Sequence, residues 1–232
     1  MKICVLGDIH GRSCWTDIIA REKPDKVIFL GDYVSSHERI SEETQINNLE
    51  GILEYKETNP DTTILLRGNH DEEALNYYWA ECWPKTGKVV KEYMSENKDR
   101  FIADTQWVHV EDNIIFSHAG ISSIWLEEQK IDFEKINTYP SSPKFGFIPE
   151  CYSDESGDSK TQSCVWIRPL SLIECAYQPE KYIQVVGHTT VVKIYDTNCA
   201  DETFPHIWLC DCLPRQYLVI EDGNFKVENF EI

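Results

Sequence analysis

The sequence predicts an α/β fold in which two β-sheets pack face to face. Short apolar, β-branched runs in the first half alternate with helix-length amphipathic segments, the pattern of parallel strands joined by helices. Several of these runs end in Gly-Asp, Gly-Asn or Ser-His. From residue 183 onward, closely spaced strand-like runs return, which predicts a second sheet with mixed or antiparallel pairing.

The first half of the chain is predicted to contain four buried strands and three helices. The second helix begins at a capping serine, Ser41, and carries the acidic residues Glu42 and Glu43 in its first turn. The predicted strands are Ile3–Leu6, Lys26–Leu30, Thr63–Leu66 and Ile114–Phe116. The predicted helices are Ser13–Glu22, Ser41–Glu57 and Asp71–Trp79.

Residues 121–163 are predicted to form a long functional loop or flap. Three prolines (Pro140, Pro143 and Pro149) and the polar stretch Ser153–Gln162 disfavour helices and central strands. The later predicted strands are Ile183–Val186, Val191–Tyr195, Ile207–Cys210, Tyr217–Glu221 and Phe225–Phe230. Because no repeat or flexible linker divides the chain, we expect residues 1–232 to form a single domain.

The composition limits the classes of function. The sequence has 22 Lys+Arg against 40 Asp+Glu, a formal net charge of −18 that argues against non-specific nucleic-acid binding. It shows neither a secretory signal nor an apolar run long enough to cross a membrane. The 9 cysteines are an odd, dispersed count, which favours reduced thiols. We therefore expect a cytoplasmic protein without a membrane partner.

Five short polar segments carry the candidate chemistry. Each places Asp, Asn or His directly after a predicted strand, and in open α/β sheets the carboxyl ends of the strands form the binding edge. Oxygen and imidazole ligands without a thiolate favour Mn, Fe or Zn. The segments are Gly7-Asp8-Ile9-His10-Gly11, Gly31-Asp32-Tyr33-Val34, Gly68-Asn69-His70-Asp71, Ser117-His118-Ala119-Gly120 and Gly187-His188-Thr189.

These segments predict a pair of divalent ions. Asp8 and His10 offer two ligands on one side of an extended chain, and Asp32 can bridge two ions through its carboxylate oxygens. The remaining ligands would be Asn69, His118 and His188. Any one of these residues alone would more often be a helix cap, a turn residue or a buried structural histidine, but their joint occurrence favours a metal site.

In this order, the five segments resemble the calcineurin-like metallophosphoesterase superfamily, from Ile3 to about Thr190. The segment Leu65-Leu66-Arg67-Gly68-Asn69-His70-Asp71 and the single histidine of Gly187-His188-Thr189 are similar to the phosphoprotein-phosphatase branch and its bacterial and phage relatives. The nuclease branch usually has a second histidine where this chain has Thr190. The resemblance implies a four-layer αββα sandwich of two mixed sheets flanked by helices.

The resemblance also implies a role for each matching residue. The first ion would be held by Asp8, His10 and Asp32, and the second by Asp32, Asn69, His118 and His188. His70 would be the general acid, and Arg67, Arg168 and Asn69 would bind the phosphoryl oxygens. The cofactors would be two divalent ions, manganese first, with iron, zinc, nickel or magnesium as alternatives, and hydroxide held between them would attack phosphorus.

The second segment departs from the pattern of its relatives. They usually read Gly-Asp-x-Val-Asp-Arg-Gly, whereas this chain reads Gly31-Asp32-Tyr33-Val34-Ser35-Ser36-His37. Ser35 replaces the aspartate that orients the acid histidine, and Ser36 replaces a phosphate-binding arginine. We expect metal binding to be retained and turnover to be reduced or redirected, with Asp71 or Glu38 as the candidate substitute carboxylate.

The function predicted from these observations is metal-dependent hydrolysis of a phosphomonoester, in a phosphopeptide or a small molecule. An RNA-end or dinucleoside-polyphosphate hydrolase is the first alternative. An alternative of another class is a catalytically weak module that binds metal and phosphorylated partners, and the replacements at Ser35 and Ser36 motivate it.

Overall fold

Two mixed β-sheets with helices against their outer faces form the protein, in a computed structural model that describes residues 1–75, 82–148 and 158–230. The predicted four-layer αββα sandwich is thereby confirmed. The strands are β1 (Lys2–Leu6), β2 (Lys26–Phe29), β3 (Thr63–Leu66), β4 (Thr105–Gln106), β5 (Val108–Glu111), β6 (Ile114–Ser117), β7 (Ile183–Val186), β8 (Tyr195–Asp196), β9 (Ile207–Leu209), β10 (Gln216–Glu221) and β11 (Asn224–Asn229). The helices are α1 (Cys14–Glu22), α2 (Glu42–Thr58), α3 (Asn69–Leu75), α4 (Lys88–Glu96), α5 (Lys98–Asp104), α6 (Ser123–Gln129) and α7 (Pro169–Cys175).

The first sheet has the strand order β11-β10-β1-β2-β3-β4, with β1 to β4 parallel and β10 antiparallel to β1. Its central strands are apolar on both faces because both faces are covered. In β1, Ile3 and Val5 face the second sheet, whereas Cys4 and Leu6 face the helices. On that helical side, α1 and α2 contribute buried residues such as Trp15 to the core.

The second sheet has the order β5-β6-β7-β9-β8, in which β6, β7 and β9 are parallel and the two outer strands are antiparallel to their neighbours. Phe116 and Val185 from this sheet pack against Ile28 and Leu218 from the first, so a continuous apolar layer lies between the sheets. Helices α6 and α7 supply buried residues to the apolar clusters of the second sheet.

Part of the predicted loop at 121–163 is ordered secondary structure. It contains α6 and a 3₁₀ helix at Phe133–Thr138, and Trp125 is fully buried. The loop prediction is wrong for these residues because the prolines on which it rested lie farther along the chain, at Pro140 and beyond. The predicted loop residues at 149–157 lie outside the described ranges.

Other boundaries also differ from the prediction. The strand predicted at Val191–Tyr195 is wrong, since the structure has only the short β8 at Tyr195–Asp196, and Val192 is 83% exposed. Helix α3 begins two residues earlier than predicted, at Asn69, and the predicted continuation to Trp79 lies outside the described residues. Within the described ranges, no helix has both the length and the apolar character that crossing a membrane requires.

Candidate metal centre

Five parallel strands deliver the six predicted ligands to one edge of the sandwich. Asp8, His10 and Asp32 lie in the loops after β1 and β2, and Asn69 begins α3 just after β3. His118 and His188 lie in the loops after β6 and β7. Each of the six residues is at most 9% exposed. Parallel strands point their carboxyl ends in the same direction, which is why segments so distant in sequence lie together.

The first half of the centre is formed by Asp8, His10 and Asp32. His10 Nδ1 lies 3.0 Å from Val34 O, and because a carbonyl only accepts, Nδ1 carries the proton and Nε2 keeps its lone pair. Nε2 lies 3.9 Å from Asp8 Oδ2 and 3.8 Å from Asp32 Oδ2. The other oxygen of each carboxylate accepts a backbone hydrogen bond. His188 N donates to Asp8 Oδ1 at 3.0 Å, and His70 N donates to Asp32 Oδ1 at 2.9 Å.

The second half is formed by Asn69, His118 and His188, together with Asp32. His118 Nδ1 donates to Leu30 O at 2.8 Å, so its Nε2 lone pair faces Asn69 Oδ1 at 2.9 Å and Asp32 Oδ2 at 3.4 Å. His188 Nε2 faces Trp166 O at 3.1 Å, which leaves the Nδ1 lone pair 2.9 Å from Asn69 Oδ1.

The imidazole rings of the centre are neutral, and its buried carboxyl groups are costly to ionise unless a cation lies beside them. Burial lowers the pKa of His10 to about 4, that of His118 to about 3, and that of His188 well below its usual value, so the rings are neutral near pH 7. Burial also raises the pKa values of Asp8 and Asp32, and the Asp8 charge raises that of Asp32 further. Facing lone pairs at hydrogen-bond distance repel one another unless a cation lies between them.

These ligand atoms therefore fit two divalent cations that share Asp32 Oδ2, the oxygen common to both halves. Within each half, carboxyl or amide oxygens face imidazole nitrogen lone pairs, with no N–H group pointing between them among the described residues. The individual assignment of each residue to an ion stays a prediction.

The backbone around the centre is adapted to these close approaches. His10, Asp32 and His188 have φ angles of 44°, 51° and 61°, a left-handed conformation that side chains other than glycine adopt at a cost. A Cβ atom at Gly68 would lie 2.1 Å from Asp32 Oδ1, and one at Gly187 would lie 2.2 Å from Asp8 Oδ1. Both glycines are thus required by the space that the carboxylates occupy.

His70 lies beside the centre without the carboxylate that the resemblance implies. Its Nε2 is 4.0 Å from Asp32 Oδ2, and its Nδ1 is buried with no hydrogen-bond partner among the described residues. Ser35 Oγ is instead hydrogen-bonded to Thr86 Oγ1 at 2.6 Å. Burial and the neighbouring His10 and His118 rings lower the pKa of His70 well below 6.5. His70 is therefore a neutral imidazole in this arrangement.

Neither candidate substitute for the missing carboxylate contacts the His70 ring in the described part of the chain. Asp71 accepts three backbone N–H groups at 2.9 Å each, from Asp32, Tyr33 and Gly68. Glu38 accepts from Arg12 Nε at 2.7 Å. The structure corrects the suggested role of Asp71, which joins the loops after β2 and β3 instead of orienting the acid.

Arg67 and Arg168 occupy different surroundings. Arg67 is 3% exposed, its Nη1 donates to Ser141 Oγ at 3.0 Å and to Glu72 Oε1 at 3.4 Å, and its guanidinium lies 4.4 Å from the Trp107 ring centroid. These contacts favour a packing role for Arg67, and its binding of phosphate stays a prediction.

Arg168 lies against one of the metal-ligand loops. Its Nη1 donates to His188 O at 3.3 Å and to Thr189 Oγ1 at 3.2 Å. Its Nε is buried and has no hydrogen-bond partner among the described residues. An unsatisfied cationic donor beside the centre suits a phosphoryl oxygen, so Arg168 is the stronger of the two phosphate-binding candidates.

Substitution of Arg168 by lysine tests this assignment. Lysine keeps the charge but loses the planar set of N–H donors. We therefore expect kcat/KM for a phosphomonoester to fall about 10–100-fold, the rate factor that corresponds to the free energy of one hydrogen bond to a charged group. The measurement is steady-state kinetics with metal content determined in parallel. Arg215→Lys is the control, because Arg215 is exposed and donates to Val191 O instead of to a ligand loop residue named above. Unchanged kcat/KM at full metal content would contradict the assignment.

The sequence analysis missed three residues at this edge: Arg12, His37 and Asp211. Asp211 follows β9, which is parallel to β7, and the same rule that found the ligands after the other strands would have found it. It is 5% exposed, it accepts a hydrogen bond from Thr190 Oγ1 at 2.6 Å, and its charge raises the pKa of Asp8. Arg12 Nη1 donates to Asp8 O at 3.1 Å. No sequence signal marked His37, whose ring centroid lies 4.8 Å from that of His10.

Solved structures with a similar fold are phosphatases and phosphoesterases. A mutant of a cold-active protein tyrosine phosphatase has a TM-score of 0.65 at 14% identity, covering 99% of this chain and 80% of its own. A Saccharomyces cerevisiae protein serine/threonine phosphatase similar to human PP5 has a TM-score of 0.61 at 13% identity, covering 100% and 80%. A metallophosphoesterase from Sphaerobacter thermophilus has a TM-score of 0.50 at 13% identity, covering 100% and 89%.

Sequence comparison gives the family directly. No curated protein matches the chain significantly. The profile of the calcineurin-like phosphoesterases matches residues 1–203, which include the whole of the candidate metal centre. The chain therefore belongs to the calcineurin-like phosphoesterase family and is a metal-dependent hydrolase of phosphoesters.

Proposed function

We propose that this protein hydrolyses phosphomonoesters, in phosphopeptides or small molecules, with two divalent ions, manganese by preference. The observation that carries the proposal is the pair of acceptor-only half-sites that share Asp32 Oδ2. Arg168 Nε, a buried donor with no partner among the described residues, adds a site for a phosphoryl oxygen beside them. A terminal phosphoryl group offers several oxygens to such a combination of cations and guanidinium.

The chemistry divides between the ions and the residues around them. Asp32 and the other five candidate ligands would hold the two ions, which would acidify a water as nucleophile and neutralise charge on the phosphoryl oxygens. Arg168 orients the phosphoryl group and offsets the charge that grows on it in the transition state. Asp71 holds the loops that carry Asp32 and Asn69 in register through its three backbone contacts.

His70 contributes a hydrogen bond to the leaving oxygen. Burial and the neighbouring rings lower the pKa of His70, so the ring is neutral near pH 7. The N–H of a neutral imidazole is a much weaker acid than an imidazolium, so it yields its proton less readily. Aryl phosphates, whose phenolate leaves easily, need little help from an acid. Alkyl phosphates such as phosphoserine need it, and we expect them to be the slower substrates.

The second candidate is a module that binds metal and phosphorylated partners with little turnover. The observation that favours it is the buried His70 Nδ1 without a hydrogen-bond partner in the described ranges, since an acid that is not oriented contributes less to the rate.

One experiment separates the two candidates. The full chain is stripped of metal, reloaded separately with Mn²⁺, Zn²⁺ or Mg²⁺, and assayed at equal concentrations of an aryl phosphate, a phosphoserine peptide, a 2′,3′-cyclic nucleotide and a dinucleoside polyphosphate. We expect Mn²⁺-dependent hydrolysis, with the monoesters preferred. Metal-loaded protein that binds phosphate and hydrolyses none of the four would favour the binding module. Faster hydrolysis of the dinucleoside polyphosphate or of the cyclic nucleotide than of the monoesters would overturn the phosphomonoesterase proposal.

The substitution Ser35→Asp tests the role of His70. A carboxylate near the unpartnered Nδ1 would raise the pKa of His70 and improve it as an acid. Aspartate tolerates the left-handed backbone of Ser35, whose φ is 63°. We expect kcat for an alkyl phosphate to rise about tenfold, a part of the roughly 100- to 10,000-fold that general acid catalysis supplies, and kcat for an aryl phosphate to change little.

The control for this prediction is Ser36→Asp, which adds the same charge one residue along the chain. An equal change for both leaving groups, or the same effect from the control, would show that the added charge acts in some other way than through His70.

A further inference from the structure

Three imidazole rings meet beside the candidate metal centre. The ring centroids of His10 and His37 are 4.8 Å apart, those of His10 and His70 are 5.1 Å apart, and those of His37 and His70 are 6.1 Å apart. One nitrogen from each ring lies within 4.8 Å of the nitrogens of the other two. His37 has no role in the metal centre described above.

The orientation of the rings suits convergence on a single point. The interplanar angles are 87° for His10 with His37, 87° for His10 with His70 and 72° for His37 with His70, so the rings meet edge to edge or edge to face instead of stacking. Ring nitrogens lie at the edges, and edge-on rings can therefore direct several lone pairs toward one ion.

His10 and His70 each have a ring nitrogen that no hydrogen bond occupies among the described residues. His10 Nδ1 donates to Val34 O, so Nε2 is the nitrogen that remains for a ligand. His70 is 5% exposed, and its Nδ1 has no hydrogen-bond partner among the described residues. A buried imidazole nitrogen without a partner is uncommon in a folded protein and indicates that something else occupies its vicinity in the working molecule.

His37 opens this cluster to solvent, since it is an exposed residue beside two buried ones. Arg12, the cation whose charge acts on His37, is paired with Glu38 at 2.7 Å, which offsets the charge that would repel a metal ion. Three histidines with an open fourth position are a common ligand set for Zn²⁺, which prefers imidazole and tetrahedral geometry.

We propose that His10, His37 and His70 form a third metal site, which takes Zn²⁺ and competes with the first ion of the centre. Competition follows because His10 has only Nε2 to offer, so one ion at a time can use it. Zinc at this site also occupies His70 and blocks the leaving-group side. The chain is thereby inhibited by zinc in excess of its catalytic requirement. The inhibition rests on the proposed hydrolysis, whereas zinc binding at the site does not.

The binding experiment isolates the third site from the first. Asp8→Asn removes a ligand of the first ion and keeps the oxygen that accepts from His188 N. In metal-free full-length protein with this substitution, zinc is titrated against a chromophoric chelator. We expect two tight equivalents, one at the second ion's ligands and one at the three histidines. Adding His37→Ala should leave one. His206→Ala in the same background is the control, because His206 is a half-exposed histidine paired with Asp196, and it should retain two.

Cobalt gives a spectroscopic reading of the same site. We expect visible absorption from Co²⁺ in a tetrahedral, nitrogen-rich site in the Asp8→Asn protein, and loss of that band with His37→Ala. Equal zinc counts and equal cobalt spectra with and without His37 would overturn the proposal.

The inhibition experiment uses protein loaded with Mn²⁺ and an aryl phosphate as substrate. The zinc concentration for half-inhibition, relative to each variant's own uninhibited rate, should rise at least about tenfold with His37→Ala and stay unchanged with His206→Ala. An unchanged half-inhibition concentration in His37→Ala would overturn the competitive site. If the protein hydrolyses no ester, the proposed function fails, and the zinc counts still decide the third site.

Discussion

Replacing Asp32 by asparagine should lower kcat/KM at least about a thousandfold, the rate equivalent of the several kcal/mol that paired metal ions contribute. The asparagine carbonyl can still accept from His70 N, as Asp32 Oδ1 does at 2.9 Å. The amide nitrogen that replaces Oδ2 cannot ligate a metal, and Oδ2 is the atom within 3.8 Å of His10 Nε2 and 3.4 Å of His118 Nε2. The measurement is steady-state hydrolysis together with metal content.

The same variant should not lose stability when metal is absent. Burial and the charges of Asp8 and Asp71 raise the pKa of Asp32 in the folded state, so above its unfolded pKa of about 3.9 the ionised group destabilises the metal-free fold. We expect the metal-free Asp32→Asn protein to unfold at or above the temperature of the metal-free parent. Asp61→Asn, at an exposed position, is the control for both measurements. Retention of more than a tenth of the activity would show that Asp32 is not the shared ligand.

Replacing Trp125 by alanine should destabilise the protein by about 3–5 kcal/mol, the usual cost of truncating a buried tryptophan. Trp125 is 0% exposed, its Nε1 donates to Lys144 O at 2.9 Å, and its ring meets that of Phe145 at a centroid distance of 5.5 Å. The measurement is the free energy of unfolding from a denaturant titration.

Trp83→Ala is the matched control for this variant, because Trp83 is 79% exposed and its loss should change stability by no more than about 0.5 kcal/mol. Equal effects from the two substitutions would show that the segment around Trp125 is not part of the folded core.

The parallel strands were the most predictable part of the fold. Strands β1, β2 and β3 are buried on both faces, so their sequences are continuous apolar runs that differ clearly from the polar segments that follow. Helix α6 is difficult to predict because it has only 7 residues and precedes a proline-rich stretch that disfavours helices. The Val191–Tyr195 run was misassigned because β-branched residues favour strands only where neighbours cover them, and Val192 is exposed.

At the candidate site, the ligand residues could be predicted from the sequence, whereas the hydrogen-bond and ion-pair partners of the surrounding residues could not. The rule that ligands follow parallel strands predicted the six residues that the structure brings together. The same rule applied to β9 would have added Asp211. The contacts of Asp71 and Arg67 could not be predicted, since both depend on which backbone amides and side chains the tertiary fold places nearby. The position of His37 beside His10 depends on the path of an irregular loop, for which the sequence has no periodic signal.

The division of the six candidate ligands between the two sheets has a consequence for assembly. Asp8, His10, Asp32 and Asn69 follow strands of one sheet, whereas His118 and His188 follow strands of the other. An ion with ligands from both sheets can bind tightly only after the two sheets have docked. Its binding free energy therefore adds to the cohesion of the sandwich, by about 2.7 kcal/mol at a free-ion concentration one hundred times the dissociation constant. The supply of metal ions would then set the stability of the folded protein against unfolding as well as its catalytic rate.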